Sequence, residues 1–141
     1  MQPTRRSTIF LMELIMAILI FSLAATVCVQ VFVKSHTLEK ESNQLSQSIF
    51  ASVAVAEIIR SSSDYESILA AEYPYMLHDN DSYRIFYDKT WNTVSVHDAQ
   101  YCLKITVDTS DDVVNTIISV YDLDDLTSIY ELEVKKYIPA E

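Results

Sequence analysis

The first pattern along the chain is an almost unbroken apolar run over residues 9–33. As a helix these 25 residues would be about 37 Å long, because each residue adds about 1.5 Å. That length exceeds the roughly 30 Å hydrocarbon core of a bilayer, so the run predicts a transmembrane helix. A cleavable signal peptide, cut near Ala25, is the alternative, although its apolar region would be shorter.

The helical pattern continues past the apolar run, since neither Gly nor Pro occurs between Arg5 and Arg60. One helix over residues 8–60 would be about 80 Å long. Its second half has apolar residues three, four or seven positions apart, which predicts one helical face formed by Leu38, Leu45, Ile49, Val53, Ala56 and Ile59. We expect this stripe to cover a sheet; a coiled-coil dimer would use the same stripe. Asp64 is expected to cap a short second helix that ends near Glu72.

From Tyr83 onward the apolar period becomes two, which is typical of strands. Residues 101–108 and 129–135 alternate in this way, Val94 and Val96 follow the same rule, and residues 113–121 are rich in β-branched side chains. Asp-rich turns separate the runs at 79–82, 108–112 and 122–125. The predicted fold class is α+β, with a long N-terminal helix packed on a small antiparallel sheet of four or five consecutively paired strands.

These patterns divide the chain into four segments. Residues 1–8 are expected to be a short cytoplasmic leader, 9–33 a transmembrane helix, 34–63 its continuation and 64–141 an outer domain built on the sheet. Two basic residues precede the apolar run and two follow it closely, so counting them does not set the orientation. The free amino terminus and the shortness of the leader favour a single-pass protein with its N-terminus inside and its C-terminal domain outside.

The absence of glycine among 141 residues excludes several classes of function. Phosphate-binding loops, dinucleotide-binding turns and the nucleophile elbow all need Gly where the backbone approaches a ligand closely or takes positive φ. Turns are expected to use Asp and Asn instead. No serine has a general base at recognisable spacing, so no catalytic residues are assigned and the chain is not expected to be an enzyme.

The charge is −10 overall and −11 from Lys34 onward, where 19 of the 20 acidic residues lie. Such a surface repels phosphate backbones, so no nucleic-acid partner is expected. The histidines match no metal-ligand spacing, and neither metal nor cofactor is predicted. Calcium at the Asp-rich loops is an alternative to simple turns, but no EF-hand pattern is present. Cys28 and Cys102 are interpreted as small apolar residues without a disulfide.

Glu13 is the one ionisable carboxylate inside the apolar run. An acid at the centre of a membrane helix costs about 2.5–3.5 kcal/mol on the insertion scale, so its presence needs a reason. One interpretation is that it lies near the interface and is partly hydrated. The other is that it pairs with a positive group of a neighbouring subunit.

Residues 5–20, with the sequence RRSTIFLMELIMAILI, resemble the start of type IV prepilins and type II secretion pseudopilins. That family has a short basic leader ending in Gly, followed by a hydrophobic helix with Glu at its fifth position. Counting back from Glu13 makes Ile9 the first position and Thr8 the residue that stands where the family has Gly. The resemblance implies possible cleavage by a prepilin peptidase between Thr8 and Ile9, and a role for Glu13 in subunit assembly.

The resemblance further implies a non-enzymatic structural subunit of pseudopilin or minor-pilin type in the cytoplasmic membrane of a bacterium. Its expected partners are other pilin-like subunits, through the helix, and membrane lipid. The alternative is a stand-alone, single-pass anchored protein whose outer domain binds a partner.

Overall fold

The computed structural model describes residues 4–110 and 112–137, and its fold is α+β. The chain divides into two compact units, Met1–Ser42 and Asn43–Glu141. In chain order its elements are α1 (Thr4–Ser61), α2 (Tyr65–Glu72), β1 (Leu77–Asp79), β2 (Ser82–Tyr87), a 3₁₀ turn (Val96–Asp98), β3 (Tyr101–Ser110), β4 (Val113–Asp122) and β5 (Ser128–Tyr137).

The first unit consists of the first part of α1, where the long helix is built from apolar, helix-compatible residues without Gly or Pro. Its large side chains are exposed, for example Phe21 at 76% and Phe32 at 77%. The whole of α1 has 58 residues, so the predicted long helix is confirmed.

The second unit is a five-stranded sheet in the order β1-β2-β3-β4-β5 with the last part of α1 packed on it. Every neighbouring pair is antiparallel, as the alternating patterns and Asp-rich turns predicted. The longest ladder joins β3 and β4, where Leu103 faces Val120 and Ile105 faces Ile118. All four of these side chains are fully buried.

The core lies between one sheet face and the end of α1, and α2 adds the buried Leu69 to it. Burying such apolar side chains contributes about 1.5–3 kcal/mol each, which makes this layer the main source of stability. The buried apolar residues are Val55, Ala56, Ile59, Leu69, Tyr83, Ile85, Tyr87, Tyr101, Leu103, Ile105, Ile118 and Val120.

The buried face of α1 differs from the predicted stripe. Ala56 and Ile59 are buried as expected, but Leu38, Leu45 and Val53 are exposed at 55%, 42% and 43%. The helix instead turns Ser48 and Ser52, both fully buried, toward the sheet. The side chains that α1 buries here are thus smaller and more polar than those it exposes.

Two local predictions were wrong. Val94 and Val96 do not form a strand: an isolated bridge joins Tyr87 to Thr93, and Val96 begins the 3₁₀ turn. Asp64 does occupy the N-cap position of α2, but its side chain makes no capping hydrogen bond. Its carboxylate instead accepts a 2.9 Å hydrogen bond from the Ser67 hydroxyl, because the Asp64 backbone is not in the extended conformation of a standard cap.

The left-handed backbone positions are taken by three non-glycine residues: Asn80 with φ 49°, Trp91 with φ 64° and Leu126 with φ 57°. Asn80, in the turn between β1 and β2, agrees with the expectation that Asp and Asn replace Gly. Trp91 is unexpected, and its ring is held by stacking on Tyr101 at 4.4 Å. Leu126 is also unexpected and its side chain is exposed at 76%.

Candidate functional site: the apolar helix and Glu13

Glu13 lies in α1 within an exposed apolar surface. The helix places Ile9, Phe10 and Met16 on the same side as Glu13, three or four positions away. Their side chains are exposed at 66%, 67% and 56%. A contiguous apolar surface of this kind marks a contact with lipid or with another protein.

Among the described residues, α1 is the one helix long and apolar enough to cross a membrane. None of its most apolar window is buried within the chain. A signal sequence near an N-terminus meets the same criterion of length and composition.

The Glu13 carboxylate takes part in no ion pair or hydrogen bond with residues in the described parts of the chain. The nearest preceding cation whose side chain is described is Arg6, seven positions earlier and also exposed. Seven residues correspond to almost two turns, so Arg6 and Glu13 lie on nearly one face, about 10.5 Å apart along the axis. That separation is too large for a direct ion pair within one helix, and both charges remain available to a neighbour.

Thr8 and Ile9, the expected leader boundary, both lie inside α1. Ile9 is one turn before Glu13 on the same face, while Thr8 points elsewhere around the helix. The structure thus brings Ile9 and Glu13 together and leaves Thr8 apart from them.

Three hydroxyl groups in the first part of α1 are bonded to the helix itself, which the sequence pattern did not indicate. Ser22 donates to the Ile18 carbonyl at 2.8 Å, Thr26 to Ser22 at 2.9 Å and Thr37 to Val33 at 3.0 Å. This bonding to the carbonyl four residues earlier hides the polarity of each hydroxyl. The apolar run therefore presents a less polar surface than its composition suggests.

In the second unit, Gln44 joins the last part of α1 to the sheet. Its side-chain amide donates a 2.8 Å hydrogen bond to the Tyr101 hydroxyl. Trp91 stacks on the Tyr101 ring and contacts Tyr87 at a centroid distance of 5.7 Å. Burial, and then the neighbouring Tyr73, raise the pKa of Tyr87, as expected for a phenol in an apolar layer.

The Asp-rich loop between β4 and β5 acts as a turn in the structure, whereas residues 108–110 of the turn predicted at 108–112 belong to β3. Asp122 accepts the backbone N–H of Asp124 at 2.9 Å, and Asp125 accepts both the backbone and hydroxyl groups of Thr127. These bonds lower the pKa of Asp125, the Thr127 hydroxyl most strongly. Within residues 4–110 and 112–137, no group of three or more His, Cys, Asp or Glu side chains could hold a metal ion. Asp111, part of one predicted turn, lies outside the described residues.

The remaining reactive side chains are separated from one another. His78 stacks on Tyr83, and His36 lies 3.9 Å from Glu39. Cys28 is exposed on α1, whereas Cys102 is buried in β3 and its burial raises the pKa of the thiol.

Sequence reasoning missed a groove beside β5. It has a volume of about 340 Å³ and lies between the last part of α1, at Val53 and Ala56, and β5, at Leu132 and Val134. The exposed half of the predicted helical stripe was the available signal for it.

Comparison of the chain with protein-family models, with curated proteins and with solved structures finds no match.

Proposed function

We propose that this chain is a non-enzymatic structural subunit, pseudopilin-like or minor-pilin-like, that assembles in a pilus or type II secretion-type machine through its N-terminal helix. The observation that carries the proposal is Glu13, a lone carboxylate on an exposed apolar helix with no partner among the described residues. In lipid such a group is costly unless a cation or hydrogen-bond donor meets it. A neighbouring subunit would supply that group. The α+β arrangement of a long helix on an antiparallel sheet further supports a pilin-like subunit.

The spacing of Arg6 and Glu13 suggests a specific contact between copies if the leader is retained. When two parallel α1 helices are offset by seven residues, or about 10.5 Å, Arg6 of one lies beside Glu13 of the other. Repetition of the same offset joins each copy to the next. If a prepilin peptidase cuts between Thr8 and Ile9, the new amino group of Ile9 takes the place of Arg6.

The proposed location is the cytoplasmic membrane of a bacterium, with the N-terminus inside and the C-terminal domain outside. From Lys34 onward the chain is strongly acidic, with a net charge of −11. Membrane lipid and other pilin-like subunits are then the partners of α1, and no nucleic acid is involved.

The test uses Cys28, an exposed thiol on α1, as a natural cross-linking site. Full-length protein in native membranes is treated with a bifunctional thiol reagent, and the linked pair of copies is resolved from the single chain on a gel. Glu13→Gln should remove most of the linked pair, while the control Met16→Gln, which adds a similar amide on the same helical face, should retain it. The exchange of Arg6→Glu with Glu13→Arg should restore the linked pair if the leader is uncut.

The second candidate function is a stand-alone anchored domain that binds a partner, favoured by the exposed groove beside β5. A linked pair that is absent from the parent protein, or unchanged in amount by Glu13→Gln, would favour it. The intact mass of the membrane-extracted protein separates the remaining cases. Loss of residues 1–8 supports peptidase processing, whereas a cut near Ala25 would contradict the membrane anchor.

A further inference from the structure

β5 forms one edge of the sheet. Within the described residues its only strand partner is β4, so its other side offers a row of main-chain N–H and C=O groups. The strand has ten residues, as many as β3 and β4. Natural edge strands are usually short or covered, because a free edge is a template for another strand.

The groove lies directly beside this edge. Its β5 wall is formed by the apolar Leu132 and Val134 together with Glu133 and Lys135, and its α1 wall by the apolar Val53 and Ala56 together with Glu57 and Arg60. Both β5 residues are only partly buried although they pack against the core. A strand added to β5 would place every second side chain in this groove, since strand side chains alternate between faces.

Charged side chains alternate with these apolar residues along β5, in a fixed order. Glu131, Glu133 and Lys135 are all exposed, and Lys135 lies 3.2 Å from Glu133. The inward-facing Lys136 does not block the groove, because its ammonium is bonded to carbonyl groups of α1. The edge therefore combines a free backbone, an apolar inner row and a charged outer row.

We propose that β5 and the groove bind an extended segment of another protein, which adds to the sheet as an antiparallel sixth strand. Such addition satisfies the free backbone groups and gives side-chain selectivity through the groove. The charge order selects the segment: residues facing Lys135, Glu133 and Glu131 should be acidic, basic and basic. Read from its N-terminus, the segment is acidic-apolar-basic-apolar-basic.

A second copy of the chain fits this edge poorly. Two antiparallel β5 strands would be related by a twofold axis perpendicular to the sheet, which reverses residues 43–61 of α1 in one copy. The α1 helices of the two copies would then be antiparallel, whereas the proposed assembly needs them parallel. The exclusion of this arrangement therefore rests on the proposed function. Two parallel β5 strands related by a twofold axis along the strands would set the apolar row of one beside the charged row of the other. The opposite sheet edge, β1, has only three residues.

Binding is measured by fluorescence anisotropy with full-length protein in lipid nanodiscs. The matched probe is a labelled peptide with the order serine, glutamate, valine, lysine, valine, lysine, serine. The control probe exchanges the glutamate with the first lysine, so only the charges facing Lys135 and Glu133 are reversed. We expect the matched probe to bind about tenfold more tightly, since each cross-strand charge pair contributes up to about 1 kcal/mol.

Three variants test the geometry. Val53→Asp places a charge in the groove and should weaken the matched probe about tenfold or more, whereas Leu45→Asp, equally exposed on the same helix but outside the groove, should not. The double variant Glu133→Lys with Lys135→Glu should reverse the preference between the two probes. Hydrogen exchange should slow at β5 amides when the matched probe binds. Glu13→Gln should bind like the parent, which separates this proposal from the assembly proposal.

Four results would overturn the proposal: no saturable binding of the matched probe, equal binding of both probes, no effect of Val53→Asp, or no reversal by the double variant. The proposal would also be wrong if the protein forms a dimer without the lipid bilayer and Glu133→Lys dissociates that dimer. A second copy of the chain would then occupy the β5 edge.

Discussion

The ammonium group of Lys136 donates a 2.8 Å hydrogen bond to the carbonyl oxygen of Ser62, immediately after the end of α1. A second bond of 3.2 Å reaches the carbonyl of Ile59. The last carbonyls of a helix lack partners within it and carry partial negative charge, so a cation there is doubly favourable. One side chain of β5 thus fastens the end of the long helix to the sheet.

Replacing this cation should destabilise the second unit. We expect Lys136→Met to lower the free energy of unfolding by about 1–2 kcal/mol, because charged hydrogen bonds to the helix end are lost while the aliphatic stem is kept. The control is Lys135→Met, which removes only an exposed ion pair with Glu133 and should cost less than about 0.5 kcal/mol. Denaturant unfolding followed by Trp91 fluorescence measures both. Equal effects of the two substitutions would show that the Lys136 contact contributes nothing.

Leu126 offers a stabilising substitution. Its φ of 57° places a γ-branched side chain in the left-handed region, while its side chain is exposed and packs little. Leu126→Gly should raise the free energy of unfolding by about 0.5–1 kcal/mol, since the left-handed strain of about 1–2 kcal/mol outweighs the added backbone entropy of glycine. Leu126→Ala retains Cβ and should give no gain. If both variants behave alike in thermal unfolding, the backbone conformation is not the cause.

The hydroxyls of Ser52 in α1 and Thr116 in β4 are buried and have no hydrogen-bond partner in the described chain. An unpaired buried hydroxyl costs about 1–3 kcal/mol, and replacement by an apolar group of the same shape recovers part of that cost. Thr116→Val should therefore stabilise the protein by about 1 kcal/mol, measured by denaturant unfolding. Ser52→Leu should destabilise it by about 1–3 kcal/mol through overpacking. A loss of stability in Thr116→Val would contradict the proposed absence of a partner.

The turn at Asp125 should contribute to acid sensitivity. Hydrogen bonds from Thr127 hold the pKa of this carboxyl below its ordinary value of 3.8. A depressed folded-state pKa means that the stabilisation is present above 3.8 and is lost as the pH falls through the lower folded value. Unfolding measured from about pH 5 downward should thus show a smaller acid-induced loss in Asp125→Asn than in the parent. Thr127→Val removes the hydroxyl donor but keeps the charge and the backbone N–H bond, so its acid-induced loss should lie between those of Asp125→Asn and the parent. If both variants lose stability in acid as the parent does, the turn at Asp125 does not contribute to acid sensitivity.

The sequence predicted the element types well because its two hydrophobic periods are clear and glycine does not interrupt them. Consecutive antiparallel pairing followed from the short Asp-rich connections. The rotation of α1 could not be predicted, since hydrophobicity ranks Leu45 and Val53 above Ser48 and Ser52. The structure has the reverse order of burial.

The segment that contains Val94 and Val96 was wrongly predicted as a strand because hydrophobic alternation alone does not show which backbone groups are already paired. Val94 and Val96 alternate like a strand, but the Val94 amide already donates to the Phe86 carbonyl, and the 3₁₀ turn follows. The position of Glu13 on its helix, by contrast, follows from the sequence alone, because a single regular element fixes it. What faces Glu13 depends on other molecules and is not encoded in one chain's periodicity.

The simple strand order also has a consequence for biosynthesis. Within the described residues each strand pairs only with its neighbours in chain order, so the sheet can grow in step with synthesis and needs few slow, distant encounters. Lys136 belongs to the last of these strands, yet it fastens the end of a helix made more than 70 residues earlier. A chain released before Lys136 would retain its apolar helix but lack this closing contact. Quality-control proteases could then distinguish unfinished chains by the frayed end of that helix.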